Sequence, residues 1–293
     1  MSPDRPEQSP RVGAVVLTWR DRVQTVACVR TLLESPAISR LLVVDNEADG
    51  TIRSAGLEDE RVDIIELTHN TGFAYGVNTG MRELLDDADI DLLLVINNDA
   101  TLGPEDLEKL IAALADDASL GLVGPRIVTP DGQRFSAGGI LNRVTWGIRQ
   151  PRSGEPVDFL TWACVLVRRE VLDEVGLLDE RFFMYWEDVE FGLRARDHGV
   201  SFAEVPDAQL VHAVSSSHAR AGSRILAYSS QAFRHFLRLR GGATRVTGYA
   251  RLCAKVASRL VVGDLRGAHY VRAGWLIGRK SPDPAYPALN ALE

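Results

Sequence analysis

The stretch DLLLVINNDAT, residues 91–101, decides how this chain is read. Leu92, Leu93, Leu94, Val95 and Ile96 form an unbroken apolar run, as in a strand covered on both faces, and it stops abruptly at Asn97, Asn98 and Asp99. Such a strand belongs to the parallel sheet of an α/β protein, where ligands bind outside the carboxyl ends of the strands. Oxygen-bearing side chains at that point suit a hard cation or a phosphate. Taken alone, the tripeptide fits equally an Asx-rich turn into a helix starting at Pro104, Glu105 and Asp106.

Working outward toward the N-terminus, VGAVVLT at residues 12–18 reads as a buried strand, and residues 22–34 carry helical apolar spacing at Val26, Val29, Leu32 and Leu33. A second apolar run at 41–44 ends in Asp45 and Asn46. A third, 62–67, precedes His69 and Asn70, and a helix is expected from about 75 to 85. Strands alternating with helices imply βαβ units and a mostly parallel sheet with helices on both faces. In such a sheet the strand tips converge, bringing Thr18, Asp45, Asn46, Asn70 and Asp99 toward one crevice. No GxGxxG follows the first strand and no GxxxxGK[ST] occurs, which argues against a dinucleotide dehydrogenase or a P-loop NTPase. Gly72, Gly76 and Gly80 lie at helical spacing, which fits close packing of a helix on the sheet or, at Gly72, approach of the backbone to a ligand.

Toward the C-terminus, 122–128 reads as a further strand, with turns at Asp131-Gly132 and Gly138-Gly139 in an antiparallel excursion, a mobile loop over 143–155, and one buried strand over 159–167. A short helix closed by Gly176 follows. The second focus is FFMYWEDVEFGLRAR, residues 182–196: Trp186, Val189 and Leu193 share a helix face, with Glu187 and Asp188 in the first turn, where the helix dipole favours carboxylates. The apolar run Phe182, Phe183, Met184, Tyr185, Trp186 can hold a carboxylate in a partly water-excluded pocket. A short strand is expected at 201–205, and His212, after Leu210 and Val211, reads by itself as a packed core histidine ahead of a Ser- and His-containing segment, 213–218.

A chain of 293 residues with 45% hydrophobic content can bury a substantial core. Cys28, Cys164 and Cys253 form no CxxC pair, which points away from a disulfide framework or structural zinc and toward a reducing compartment. The first ten residues are polar and proline-rich and are expected to be disordered. No apolar run approaches the roughly 18 residues of a membrane span, so a cytoplasmic location is expected. The net charge of −7 is uneven: from His218 to Lys280 thirteen Lys and Arg face the single acid Asp264, a local +12 that leaves −19 on the remainder. The basic tail reads as amphipathic helices whose arginines, Arg234, Arg238 and Arg240 among them, either cover the preceding domain or dock on the anionic inner face of a membrane. No nucleic-acid recognition motif accompanies the charge.

In this order, VVLTWR, VVDN with Asp49-Gly50-Thr51, HNTGFAYGVNTG, NND, ACVLVRRE and FFMYWEDVEFGLRAR resemble the family 2 inverting glycosyltransferases of GT-A fold, in particular their rhamnosyltransferase-like branch. The resemblance runs from about residue 12 to 218. It implies a GT-A catalytic domain over 11–218 and a helical C-terminal region over 219–293, and transfer of a sugar, with rhamnose expected, from a dTDP- or UDP-sugar to a hydroxyl acceptor, a polyprenyl-linked one among the options. By resemblance, Thr18, Asp45, Asn46, Asn70, Gly72, Phe73, Asn97 and Asn98 hold the nucleotide sugar, Asp99 binds Mg or Mn with His212 completing the site, and Asp188 of the Glu187-Asp188 pair is the catalytic base. Departures from the family pattern are a loop one residue shorter in VVDNEADGT, Trp162 before Ala-Cys, and Asn97 in place of the first Asp of a DxD-type motif. Two rivals from other classes are a sugar-1-phosphate nucleotidyltransferase, which calls for a Gly-rich basic loop after the first strand, and a non-catalytic sugar-nucleotide or lipid-binding module.

Overall fold

The computed structural model describes residues 10–46, 49–135, 137–152, 155–213, 222–240 and 244–292. In chain order the strands are β1 Val12–Thr18, β2 Ile38–Asp45, β3 Val62–Glu66, β4 Leu92–Asn97, β5 Ala100–Leu102, β6 Leu120–Val128, β7 Arg134–Phe135, β8 Gly138–Leu141, β9 Ile148–Arg149, β10 Phe159–Leu160, β11 Cys164–Arg168 and β12 Ser201–His212. The helices are α1 Arg22–Leu33, α2 Phe73–Leu85, α3 Pro104–Asp116, α4 Arg169–Val175, α5 Glu187–Asp197, α6 Ile225–Arg240, α7 Thr244–Val261, α8 Leu265–Lys280 and α9 Tyr286–Asn290.

The main sheet runs β3-β2-β1-β4-β11-β6-β12-β5, with β7 paired to β6. Strands β3, β2, β1 and β4 are mutually parallel, in a register that sets Thr18 beside Asp45 and Leu17 beside Asn97, so their polar tips reach one edge together. Beyond β4, β11 is antiparallel, β6 and β12 are parallel to each other, and β5 returns antiparallel at the margin. The two-residue period of β1 divides the core: Val12, Ala14 and Val16 pack with Val29 and Leu32 of α1 and Leu107 and Leu110 of α3, while Val15 packs on the other side with Val77, Met81 and Leu84 of α2. Helices therefore cover both faces, which is why each central strand is apolar throughout.

The glycines of α2 serve packing. A Cβ on Gly80 would meet Val15 at 2.7 Å, and one on Gly76 would meet Leu17 at 2.5 Å, so the helix lies directly on β1. Gly72, at φ 83°, is approached closely, but by the carbonyl oxygen of Phe183 in the protein itself.

Several expectations are corrected. Residues 159–167 are two strands: β10 joins a small sheet, β10-β8-β9, and after Thr161–Ala163 the chain enters the main sheet as β11. Gly138 and Gly139 lie within β8, where a Cβ on Gly138 would meet the Phe159 carbonyl oxygen at 2.2 Å; they permit strand approach and form no turn. The span 143–155 is in part a hairpin, with Ile148 and Arg149 paired to Leu141 and Ile140 and an Arg149–Glu155 ion pair. The strand expected at 201–205 continues to His212, with an irregularity between Val205 and Gln209. Residues 1–9, 47–48 and 214–218, on which the N-terminal, shortened-loop and Ser/His expectations fall, lie outside the described residues.

The tail packs on the first part of the chain. Phe233, Phe236 and Leu237 of α6 join Phe182, Val189 and Leu193 in one apolar cluster, and buried His235 bridges Asp179 (3.1 Å) and Ser281 (2.7 Å). Arg234 is buried between the rings of Tyr249 (5.1 Å) and Trp275 (4.7 Å), Arg238 donates to the Arg279 carbonyl, and Arg240 pairs with Asp197. These three arginines thus make contacts within the fold. Among the described residues no helix is long and apolar enough to cross a membrane.

Candidate active site

At the strand-tip edge lies a cavity of about 490 Å³, ordinary for a site that holds a small molecule. Of the residues singled out from the sequence, Thr18, Asn46, Asn70, Gly72, Phe73, Asn97, Asn98, Asp99, Glu187, Asp188 and His212 line it. Asp45 does not: its side chain is buried at the β2 tip, outside the lining.

The polar tips divide into those that build the wall and those whose chemistry faces the cavity. Thr18 shares a 2.7 Å hydroxyl contact with Thr25, and Asn98 donates to Thr25 Oγ1 (3.0 Å), so both tie the tips of β1 and β4 to the start of α1. Asn46 accepts from the Thr71 N–H (2.7 Å) and hydroxyl (2.8 Å) and donates to the Gly72 carbonyl (3.0 Å). Asn46 therefore acts as a latch on the 70–73 loop. Two more contacts clamp that loop: Phe73 N–H donates to the Phe183 carbonyl (2.6 Å), and Asn290 of α9 donates to the Asn70 carbonyl (2.7 Å).

Asp99 and His212 meet because β12 pairs antiparallel with β5, which sets His212 opposite Ala100. His212 Nε2 lies 2.9 Å from Asp99 Oδ1, and the Asn97 amide is 3.4 Å from the same nitrogen. Both side chains are largely enclosed, and His212 Nδ1 is buried without a hydrogen-bond partner. A carboxylate, an imidazole and an amide make a mixed oxygen and nitrogen set that suits Mn or Mg. Among the described residues no group of three His, Cys, Asp or Glu is gathered, so the fit is to an ion whose shell substrate oxygens complete.

The cavity is also lined by the start of α5, which follows a backbone turn of two left-handed residues, Tyr185 (φ 74°) and Trp186 (φ 69°). Aromatic side chains in that region cost on the order of 1–3 kcal/mol each and persist only when the surroundings fix them. Here Phe182 and Phe183 are fully buried, and the Trp186 ring packs on Phe233 (4.9 Å) and Phe236 (4.7 Å) of α6. The turn delivers Glu187 and Asp188 to the cavity. Burial, together with the neighbouring Asp188 charge, raises the Glu187 carboxyl well above its ordinary range, and Glu187 Oε2 is buried without a hydrogen-bond partner. Burial raises Asp188 to about 6, although its Oδ1 accepts from the Val189 N–H (2.7 Å), which opposes the shift. Burial thus pushes both carboxyls toward the protonated form, Asp188 to about 6 and Glu187 well above its ordinary range.

Sequence reading did not anticipate Ile148 of β9, Trp19 or Ser229 of α6 in the lining. Ile148 fell in a stretch without periodicity, and Ser229 lies in the basic tail, where no local signal links it to the strand tips. Trp162, one of the departures, is buried edge-on to Phe191 (4.9 Å) and forms part of the cavity floor.

The family model for glycosyl transferase family 2 matches residues 15–176, more than half of the chain. The chain is 27% identical over 186 residues to the low-salt glycan biosynthesis hexosyltransferase Agl10 of Haloferax volcanii, covering 60% of this chain and 59% of that protein. It is 32% identical over 203 residues to the N-acetylglucosaminyl-diphospho-decaprenol L-rhamnosyltransferase of Mycobacterium tuberculosis, covering 60% of this chain and 66% of that one. The chain thus spans somewhat less than two thirds of the length of these relatives. Among solved structures it is similar to a mannosyltransferase of Pyrobaculum calidifontis in complex with GDP-Man and Mn2+, with a TM-score of 0.56 and 17% identity over 97% of this chain and 86% of that one. At that identity the likeness speaks for the fold alone, and the fold is GT-A. With the family model spanning both the strand tips and the 70–73 loop, the chain belongs to glycosyl transferase family 2.

Proposed function

We propose that this protein transfers a sugar, with rhamnose as the first choice, from a dTDP- or UDP-linked donor to a hydroxyl of a lipid-linked acceptor, inverting the anomeric centre, in the assembly of an envelope glycan. The observation that carries the reading is one cavity lined both by an ionisable carboxyl, Asp188, and by the Asp99–His212 pair. In the proposed step Asp188 removes the acceptor O–H proton as that oxygen attacks the anomeric carbon. The bond from that carbon to the diphosphate oxygen breaks, and its electron pair leaves with the nucleoside diphosphate. Attack opposite the leaving group inverts the centre in a single displacement. Glu187, which burial and the Asp188 charge push toward the protonated form, would orient a sugar or acceptor hydroxyl through its unpartnered Oε2. Asp99 and His212, with Asn97, would hold a divalent ion, which when bound supplies positive charge against the leaving diphosphate. The 70–73 loop, clamped by Asn46 and Asn290, would bind the nucleotide.

The choice of rhamnose and of a lipid-linked acceptor rests on the mycobacterial relative's name, and the acceptor class draws further support from the tail. Where α7 turns into α8, Val261, Val262 and Leu265 are 86%, 71% and 70% exposed, with cationic Arg266 and Arg272 also at the surface. An apolar tip beside cations suits the interface of an anionic bilayer, from which a lipid-linked acceptor would be presented.

A donor screen with dTDP-rhamnose, UDP-sugars and GDP-mannose, with Mn2+ and then with EDTA, tests the core of this reading. The expected outcome is donor-dependent release of a nucleoside diphosphate, loss of turnover in chelator, and a product of inverted anomeric configuration by NMR. Pyrophosphate-dependent release of a sugar 1-phosphate would assign a nucleotidyltransferase, and silence with every donor and acceptor would leave a binding module.

A further inference from the structure

Beside the reaction cavity lies a second one of about 380 Å³, enclosed by α6, α7 and α8, for which the proposed chemistry has no use. Two residues, Trp186 and Ser229, line both cavities, so the second opens where the first ends, one residue before the Glu187-Asp188 pair. Among the described residues its charged side chains are Arg251 and Lys255, and no carboxylate lines it. Among the described residues neither cation has an acidic partner, although Arg240 and Arg259 nearby pair with Asp197 and Asp264.

Both cations are held in place. Arg251 Nη1 donates to the carbonyls of Thr145 (3.0 Å) and Trp146 (2.9 Å), and its guanidinium stacks over Phe233 (4.6 Å), which leaves Nε and Nη2 available to a ligand. Lys255 Nζ makes a long contact of 3.4 Å to Ser229 Oγ, on the rim shared by the two cavities. Burial lowers the Lys255 pKa, and Arg259 and Arg251 lower it further; an arriving anion would offset the repulsion among these cations. Two cations without acidic partners, with a hydroxyl beside them in one recess, suit a compact dianion.

We infer that Arg251, Lys255 and Ser229 form an anion subsite that takes a phosphate or diphosphate ester of the acceptor while the acceptor's sugar hydroxyl reaches Asp188 past Trp186. The orientation of the acceptor rests on the transferase reading above; the anion binding does not.

The test separates the two. Pyrophosphate binding is measured by titration calorimetry on the full chain in EDTA, for wild type, Lys255→Met, Lys255→Arg and Asp99→Ala. Lys255→Met is expected to weaken binding at least tenfold, with Lys255→Arg restoring most of it and Asp99→Ala remaining within about twofold of wild type. Equal affinity in wild type and Lys255→Met, or no binding at all, would overturn the subsite, whatever the donor screen gives. Lysine-dependent binding in a protein that turns over no donor would leave the subsite standing and remove the transferase reading instead. The source of the anion is read by competition: geranyl diphosphate should displace pyrophosphate, and inorganic phosphate should do so only at much higher concentration. Displacement by phosphatidylglycerol vesicles and not by geranyl diphosphate would overturn the acceptor assignment and give the cations to the bilayer surface.

Discussion

Glu187 and Asp188 are adjacent in the chain, yet the fold gives them different surroundings. Glu187 is buried with one oxygen unpartnered and is pushed well above its ordinary range; Asp188 keeps the Val189 N–H and is raised to about 6. A base and a neutral donor respond differently to removal of charge. Asp188→Asn should lower turnover by about 100-fold or more with donor binding little changed, because a base acts in the transition state. Glu187→Gln keeps an N–H donor in place of the O–H and should stay within a few-fold of wild type. Single-turnover kinetics and donor titration on the two variants check this, and the reverse ranking would exchange their roles. The pH dependence follows from the sign of the shift. Asp188 must be ionised to accept a proton, so kcat/KM should rise with pH through about 6 and level off above it. Stability should run the other way. The folded pKa lies above the ordinary 3.8, so the folded protein holds the proton more tightly, and stability falls as pH climbs from about 4 to about 6.

At the scale of elements, contact between α2 and β1 sets the position of the 70–73 loop, because the helix begins at Phe73. The helix can lie that close only because Gly76 and Gly80 face Leu17 and Val15. Replacing Gly80 by Ala would gain up to about 1 kcal/mol of helix propensity but set a Cβ 2.7 Å from Val15 and 3.1 Å from Val44, an overpacking cost of about 1–3 kcal/mol that outweighs the gain. Gly80→Val adds two more methyl groups with none of that gain in full. It should destabilise by about 1–3 kcal/mol, seen as a fall of several degrees in Tm, and weaken donor binding as the loop shifts. A Tm equal to wild type would mean that the helix does not rest on β1 as described. The Tyr185-Trp186 turn is held in the same manner from outside, by Phe233 and Phe236 of α6, so the tail supports the element that carries the acid pair.

For the molecule as a whole, the distribution of charge has a structural use and an exposed remainder. Arg234, Arg238, Arg240 and Arg251 hold the tail to itself and to the first part of the chain, and reversing Arg234 would place a carboxylate between two aromatic rings. The membrane test therefore belongs to the tip between α7 and α8. Vesicle binding should rise with anionic lipid and fall with salt. It should drop by tenfold or more in Arg266→Glu/Arg272→Glu, since each surface-proximal cation contributes roughly 1 kcal/mol. Val261→Ser/Val262→Ser should weaken it on neutral vesicles too, through the lost apolar contact. Equal partitioning on neutral and anionic vesicles would remove the electrostatic part, and no binding to either would leave a soluble acceptor.

The sequence by itself determined the strands of the parallel half of the sheet and where they end. The apolar runs of β1, β2 and β4 and their polar stops are local patterns, and a parallel sheet brings such stops to one edge whatever the loops do. Residues with a tip or a helix start beneath them, such as Asn97, Asp99, Glu187 and Asp188, were legible for that reason. What each side chain does at the edge was decided by tertiary contacts. Asn46 and Asn98 are spent on the protein's own hydrogen bonds, and Asp45 lies outside the cavity, although all three carry the same polar signal as Asp99. His212 read alone as a core residue, and it meets Asp99 across 113 positions only because β12 lies between β6 and β5. Ser229, Arg251 and Lys255 reach the site through the packing of α6 against α5 and of α7 against α6, since pairing between distant elements leaves no periodic trace in either segment.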